Sequence, residues 1–320
     1  MLFRSCGFVG TALAALAALL LLPLLVGQTE HKVMAHMQGR LGPMYAGAYH
    51  GWAQLVADGV KFVQKEDIVP AAADKRVFKL APGVALVPYL LALAAIPIHP
   101  GFAIAEVPAG VIYVMAATSI GVLGTLMAGW ASANKYALIG AMRSAAQLLS
   151  YELPMVLAVA SVALAAGTLS LGGIVEAWTP IWLLWQLPGA LVFLAAAVAE
   201  LQRPPFDMPI ADSEIVFGPY TEYTGLRFAL FLLSEYAGIV VMSLLFATFY
   251  LGGWRGPLDD TLGWLWTLLK GFAIAIVMIW LRVSWPRLRE DQLQRFAWLG
   301  LIPLALLQLA LTAVGVVYLQ

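Results

Sequence analysis

Long apolar segments separated by polar loops dominate this sequence of 320 residues. A helix that crosses a bilayer needs about 20 mostly apolar residues, and eight segments have this character. None of them shows the alternation of apolar and polar residues that is typical of a membrane β-barrel strand. The pattern predicts an all-α integral membrane protein with a single polytopic membrane domain. We place its spans at about residues 8–26, 82–98, 108–130, 154–172, 181–199, 228–251, 265–281 and 296–319.

Prolines refine several of these boundaries. Pro108 and Pro154 are expected in the first turn of the third and fourth spans, where a missing N–H leaves no helical bond unmade. The second span is the shortest and is interrupted by Pro88 and Pro97. The first span follows Arg4 and resembles a signal peptide, but no small-x-small cleavage site follows Gly27. We therefore expect it to remain as a helix.

Composition supports lipid as the solvent of this chain. Charged residues make up 11% of the sequence, against roughly 25% in soluble domains. The formal net charge is zero, so no basic excess favours nucleic acid as a partner. One cysteine, Cys6, excludes a disulfide and a cysteine-ligated zinc or iron–sulfur site within the chain. The four histidines do not have helical metal-ligand spacing, and we predict no metal site.

The basic residues predict the orientation. All of the 18 Lys and Arg residues except Arg4, Arg255 and Lys270 fall in the loops after spans one, three, five and seven. The positive-inside rule then places these long loops in the cytoplasm and both termini outside.

The first of these loops contains a candidate amphipathic helix. Gln54, Asp58, Lys61 and Lys65 form one polar stripe at helical spacing, while apolar residues cover the other faces. This pattern fits a helix lying in the membrane interface. A surface helix that merely anchors the loop is an equally open alternative.

Acidic residues collect at the cytoplasmic ends of the central spans. Glu152 and Glu200 stand at the edges of spans four and five, and Glu235 lies about two turns inside span six. Ionisable residues at membrane depth are functional candidates, because burying a charge there is costly. The loop between spans five and six adds four more acids: Asp207, Asp212, Glu214 and Glu222. The spacing suggests a proton path through Glu152, Glu200, Glu214 and Glu235, although structural ion pairs are an alternative for each acid.

Five ordered blocks resemble the subunit 1 family (the H-type subunits) of complex I, the proton-translocating NADH:quinone oxidoreductase. They lie in all four cytoplasmic loops, so the resemblance covers essentially the whole chain. The blocks are EHKVMAHMQGRLGP (30–43), LVADGVKFVQKEDIVPAAADKRVFKLAP (55–82), GWASANKYALIGAMRSAAQLLSYELP (129–154), AELQRPPFDMPIADSEIVFGPYTEY (199–223) and RVSWPRLREDQL (282–293).

The resemblance implies a membrane subunit that forms the membrane end of a quinone tunnel. Quinone would be the substrate, and the iron–sulfur clusters and flavin would belong to partner subunits. The implied partners are the subunits of the peripheral arm, small membrane subunits, antiporter-like membrane subunits and lipid. The implied location is the cell membrane.

The resemblance also assigns roles to individual residues. The residues assigned to the quinone tunnel and its loops are Glu30, Gln38, Arg40, Asp58, Lys61, Arg203, Asp207, Arg287 and Arg289. Those assigned to the proton path are Glu152, Glu200, Asp212, Glu214, Glu222 and Glu235.

The chain departs from the family pattern at several positions. His31 stands where an arginine is usual, and Met44 replaces an asparagine. Ile210 replaces an acid, and the next acid is the shorter Asp212, so one step of the expected carboxylate chain is missing or rerouted. Two alternatives stay open: the equivalent subunit of a ferredoxin-, deazaflavin- or hydrogenase-linked complex, and a free-standing ion transporter. A simple membrane anchor would have no reason to retain Glu235 within a span.

Overall fold

The computed structural model describes residues 21–100, 107–211 and 214–319, and these residues are mainly helical. The first helix of the described part, α1, includes residues 21–37. The other helices are α2 (Gln54–Gln64), α3 (Lys75–Ala95), α4 (Gly110–Ala131), α5 (Lys135–Ala166), α6 (Leu171–Ala177), α7 (Trp182–Trp185), α8 (Leu187–Glu200), α9 (Gly225–Tyr250), α10 (Asp259–Ser284), α11 (Glu290–Arg295) and α12 (Ile302–Leu319). A 3-10 turn at Gly218–Tyr220 precedes α9, and a π-helical segment, Phe296–Leu301, joins α11 to α12.

Six of the described helical segments are long and apolar enough to cross a membrane, which confirms an all-α integral membrane protein. They match the predicted spans two, three, four, six, seven and eight. Of the predicted span at 8–26, residues 8–20 lie outside the described residues, and residues 21–26 belong to α1. Span five corresponds to the shorter apolar helix α8.

The first-turn positions predicted for Pro108 and Pro154 were wrong, because α4 begins at Gly110, two residues after Pro108, and α5 begins well before Pro154. Pro82 lies inside α3, and Pro154 lies inside α5. The side chains of Asp74 and Asn134 accept hydrogen bonds from the first-turn N–H groups and cap these helices further upstream. An internal proline removes one backbone donor, which a helix packed among others tolerates.

The segment predicted as a span at 181–199 is not one continuous helix, because the helix is interrupted at Gln186 between α7 and α8. The Gln186 amide is buried and donates to Thr312, while its oxygen accepts from Ser161 and Gln308. These hydrogen bonds satisfy the buried amide of Gln186 inside an apolar bundle and so stabilise the interruption between the two helices.

Helix α9 lies at the centre of the bundle. Its residues are buried without interruption from Ala237 to Tyr250, and it packs against α3, α8 and α10. Helix α5 packs against α4, α8 and α12 on the other side of the core. Gly124 allows α4 to approach α3 closely, because a Cβ atom at this position would collide with the backbone of Ala85.

Helix α2 has no buried residue, as expected for an interfacial helix. Its polar stripe includes the Asp58–Lys61 ion pair, and Val56, Val60 and Val63 leave apolar surface exposed. The helix packs against α9, where the rings of Phe62 and Phe228 lie 5.8 Å apart. This arrangement supports the predicted amphipathic character.

Candidate functional site

A cavity of about 260 Å³ lies among α3, α4, α9 and the loop that follows α8. Apolar residues form much of its wall. For a cavity within an apolar helix bundle, however, it is lined by many polar side chains. The polar residues that line it are Tyr89, Thr125, Glu200, Gln202, Arg203, Asp207, Tyr220, Ser234, Glu235 and Arg282.

A reversal of the chain at the end of α8 positions two of these residues. Gln202 adopts a left-handed conformation, with φ of 54°, directly after the helix. The Arg203 N–H then donates back to the Val198 carbonyl at 3.3 Å. Gln147 of α5 secures the loop, since its amide donates to the carbonyls of Ala199 and Phe206 at 2.6 and 2.5 Å.

Arg203 is the centre of a buried ion cluster. Its Nη1 lies 2.6 Å from Glu30 Oε2, and its Nη2 lies 2.8 Å from Glu235 Oε1. Arg282 pairs with the other oxygen of Glu30. We call these four residues the Arg203 cluster. Glu30 and Arg203 are almost fully buried, so each charge depends on its partners.

Asp207 lies beside this cluster and lines the same cavity. Burial raises the pKa of its carboxyl to about 6, while Arg287 and the Ile210 backbone N–H act in the opposite direction. One of its oxygens is buried and accepts no hydrogen bond from the described residues. Asp207 is therefore a group that can exchange a proton near neutral pH.

Glu200 is 4% exposed, and neither of its carboxylate oxygens has a well-formed hydrogen bond within the described part of the chain, because the neighbouring Thr118 hydroxyl donates to the Met115 carbonyl. Glu152 is close enough to interact with it electrostatically and accepts a hydrogen bond of 2.5 Å from Ser119. The structure thus brings together two of the predicted acids, and no described cation neutralises Glu200 through an ion pair.

Glu214 does not join the buried acids. It is exposed and pairs with Arg143, with 2.7 Å between Arg143 Nη1 and Glu214 Oε2. Both residues line a second, more open cavity of about 850 Å³, together with Arg287 and Arg289. The predicted proton path from Glu200 through Glu214 to Glu235 is therefore not a continuous series of buried acids, because Glu214 is exposed on the surface of the loop.

The other predicted residues lie away from the first cavity. Gln38 and Arg40 form an exposed side-chain hydrogen bond of 2.8 Å, and Glu222 accepts one of 2.7 Å from Asn134. Arg289 pairs with Asp291 on the exposed loop. Asp212 lies outside the described residues.

Several residues of the site were missed by sequence reasoning. Arg282 was part of a recognised block but was not selected, although it pairs with Glu30. Tyr89, Thr125 and Tyr220 line the cavity and were not selected either. For Tyr89 and Thr125 the available signal was an isolated hydroxyl residue within an apolar run, and Tyr220 stands in the block 199–223 that carries the family resemblance.

The described residues offer no clustered ligands for a metal. Among them, no group of three or more His, Cys, Asp or Glu side chains is arranged to hold a metal ion.

Comparison with known proteins identifies the family. The model of the family described as NADH dehydrogenase matches residues 10–313. The chain belongs to this family. The NADH-quinone oxidoreductase H-type subunit of Geobacillus sp. (strain WCH70) is 46% identical over 309 residues, covering 96% of this chain and 93% of that protein. The H-type subunits of Bacillus mycoides (strain KBAB4) and Bacillus cereus (strain B4264) are 47% and 46% identical over 287 residues, each covering 89% of this chain and 86% of the relative.

These matches confirm the expected relationship to the subunit 1 family. The ion cluster and the buried acids described above therefore lie in a member of the NADH dehydrogenase family.

Proposed function

We propose that this chain is a membrane subunit of a proton-translocating NADH:quinone oxidoreductase, complex I. In this proposal it encloses part of the quinone site and couples quinone reduction to proton translocation. Family membership and the names of the relatives support the first statement. The observation that carries the second is the Arg203 cluster, which adjoins a cavity that also holds Asp207 and Glu200.

The proposal assigns the redox centres to other subunits. The flavin and the iron–sulfur clusters belong to the peripheral arm, and this chain supplies no redox centre. Its partners are the subunits of that arm, small membrane subunits and antiporter-like membrane subunits. The complex lies in the cell membrane, and the loops that carry α2, residues 201–224 and α11 face the cytoplasm.

Reduction of a quinone consumes electrons and protons in equal number, so it changes the charge and proton supply of its surroundings. Within the Arg203 cluster, Glu235 is the carboxylate open to such a change, because it is 34% exposed while Glu30 is 1% exposed. When Glu235 takes up a proton, Arg203 loses one of its two negative partners. The cluster then carries an uncompensated positive charge, which acts strongly on neighbouring acids in a medium of low dielectric constant.

This charge change is the coupling step of the proposal. The positive charge favours the ionised form of nearby carboxyl groups, and Asp207 and Glu200 line the same cavity as Arg203. A proton held by these acids is therefore released while Glu235 is protonated. Such a linkage works in both directions, as coupling between two sites requires.

The test compares proton uptake in inverted membrane vesicles carrying Glu152→Gln, Glu235→Gln or the control Glu176→Gln. Glu176 is an exposed acid on α6 and lies outside the cavity. A positioned proton-transfer group contributes about 10²–10⁴-fold, so we expect NADH-driven proton uptake to fall at least about tenfold in the first two variants. The control should pump normally. Normal pumping by both Glu152→Gln and Glu235→Gln would refute the coupling role.

A second experiment tests the assembly. The tagged chain is extracted gently from its host, and the co-purifying proteins are identified. An NADH-oxidising flavoprotein together with iron–sulfur and antiporter-like subunits would support the proposal. Iron–sulfur partners without an NADH-oxidising module would assign a different electron donor, and a chain that purified alone would contradict the proposal.

A further inference from the structure

The acids of the cavity form two groups. Glu235 pairs with Arg203, and Asp207 is near enough to interact with Glu235 and Arg282, whereas Glu200 lies at the end of α8 with Glu152 close to it. A proton that passes from one group to the other needs exchangeable groups between them. Hydroxyl side chains occupy this part of the wall.

Tyr220 adjoins the first group. Its phenol is close enough to interact electrostatically with both Glu235 and Asp207, and its oxygen lies 3.3 Å from Thr125 Oγ1. Burial raises the pKa of Tyr220 to about 12, so the phenol stays neutral. A neutral phenol both donates and accepts a hydrogen bond.

Tyr89 adjoins the second group. It projects from α3 and is 5% exposed, and its phenol interacts electrostatically with Glu200 and with Tyr220. The neighbouring groups therefore form a series across the cavity. Asp207 and Glu235 interact with Tyr220, Tyr220 lies beside Thr125 and interacts with Tyr89, and Tyr89 interacts with Glu200.

The same wall contains the position at which the sequence lacks an expected acid. Ile210 lines the cavity that Asp207 and Tyr220 also line, and its backbone N–H interacts with the Asp207 carboxyl. An isoleucine can neither donate nor accept a proton. The exchangeable groups that remain on this side of the cavity include the hydroxyls of Thr125 and Tyr220.

We propose that Tyr89, Thr125 and Tyr220 form a hydroxyl relay that carries protons between the Arg203 cluster and Glu200. In each step a hydroxyl oxygen accepts a proton on one side and releases its own proton on the other, so the side chain ends neutral. A water molecule takes up about 30 Å³ in the liquid, and the cavity of about 260 Å³ has room for several to complete the steps between side chains. The relay rests on the proposed function, because it connects acids to which that function assigns a proton path.

The test uses variants that remove a hydroxyl and keep the shape of the side chain. These are Tyr89→Phe, Tyr220→Phe, the double variant and Thr125→Val. Tyr250→Phe and Thr248→Val are matched controls, because both hydroxyls are buried and donate to backbone carbonyls away from the cavity. The variants are made in the complete complex, and the amount of assembled complex is determined for each.

We expect NADH-driven proton uptake to fall at least about fivefold in the double variant relative to Tyr250→Phe, since relay groups act on the proton-transfer step. The solvent deuterium isotope effect on uptake should increase, because proton movement through the cavity becomes slower than the other steps. A purely structural role would not change this isotope effect.

Uptake in the double variant equal to that of Tyr250→Phe would overturn the relay. So would an equal fall in the control variants, because it would assign the effect to packing. Failure of the proposed function is distinguishable: in that case Glu152→Gln and Glu235→Gln would also pump normally. If those acids are required while the hydroxyl variants pump normally, only the relay is refuted.

Discussion

Replacing Glu30 by glutamine removes the negative charge that lies between Arg203 and Arg282. In the wild-type Arg203 cluster two arginines face two glutamates, and the charges balance. Glu30→Gln leaves two arginines with Glu235 as their remaining carboxylate within the cluster. Removing one partner of a buried pair destabilises a protein by about 3–5 kcal/mol.

The exposed fraction of each partner decides where in this range the effect falls. Arg203 is 3% exposed, but Arg282 is 30% exposed, so water screens part of its lost interaction. We expect a loss of about 3 kcal/mol in the free energy of unfolding, which is a change of about a hundredfold in the folded to unfolded ratio. Adding Arg282→Gln restores the charge balance, and the double variant should recover about 1 kcal/mol.

The assay is an unfolding titration of the purified protein from mild detergent into dodecyl sulfate, followed by tryptophan fluorescence. Glu214→Gln is the control, because Glu214 is exposed and its ion pair with Arg143 is screened by water. It should unfold as the wild type does. A Glu30→Gln variant as stable as the control, or a double variant less stable than Glu30→Gln alone, would contradict this account of the cluster.

Two further predictions concern Asp207 and Lys270. The folded-state pKa of Asp207, about 6, lies above its ordinary value of 3.8, so the folded protein binds a proton there that the unfolded chain releases. The contribution of Asp207 to stability should be full below about pH 4 and disappear as the pH rises through about 6. Infrared difference titration should show a band of the protonated Asp207 carboxyl that disappears with a midpoint near pH 6. The band should be absent in Asp207→Asn. A midpoint below about pH 5 would contradict the statement that burial raises the pKa of Asp207. Lys270 Nζ donates to three backbone carbonyls of the loop between α9 and α10, at 2.7 to 2.9 Å. Lys270→Met leaves these acceptors unpaired and should lower the free energy of unfolding by about 2 kcal/mol in the same detergent titration, whereas an unchanged midpoint would show that water replaces the ammonium group.

The helical architecture could be predicted from the sequence because membrane spanning imposes length and apolarity on each segment separately. Six described spans and the exposed helix α2 follow from this local property. Helix starts were less predictable. Asp74 and Asn134 cap α3 and α5 upstream of the apolar runs, and Pro82 and Pro154, at which the predicted spans begin, lie inside packed helices.

The candidate site was predictable as a set of residue types but not as a set of pairs. Sequence reasoning selected Glu30, Arg203, Glu200 and Glu235 through the costs of buried charge and the family resemblance. It did not indicate that Arg203 joins Glu30 to Glu235, or that Glu214 turns outward to Arg143. Tyr89 was not selected, because a single phenol in an apolar helix has the same local pattern whether it faces lipid, core or cavity.

Hydropathy and residue type are properties of short segments, so they were enough to establish the membrane class of this protein, most of its spans and the charged residues available for chemistry. Which of those charges compensate one another was settled by the packing of the helices. Glu30 and Arg282 stand 252 positions apart and meet only after α1 and α10 have packed around α9 and the loop that carries Arg203. Electrostatic partnership depends on distance and burial, and these are fixed when the helices assemble.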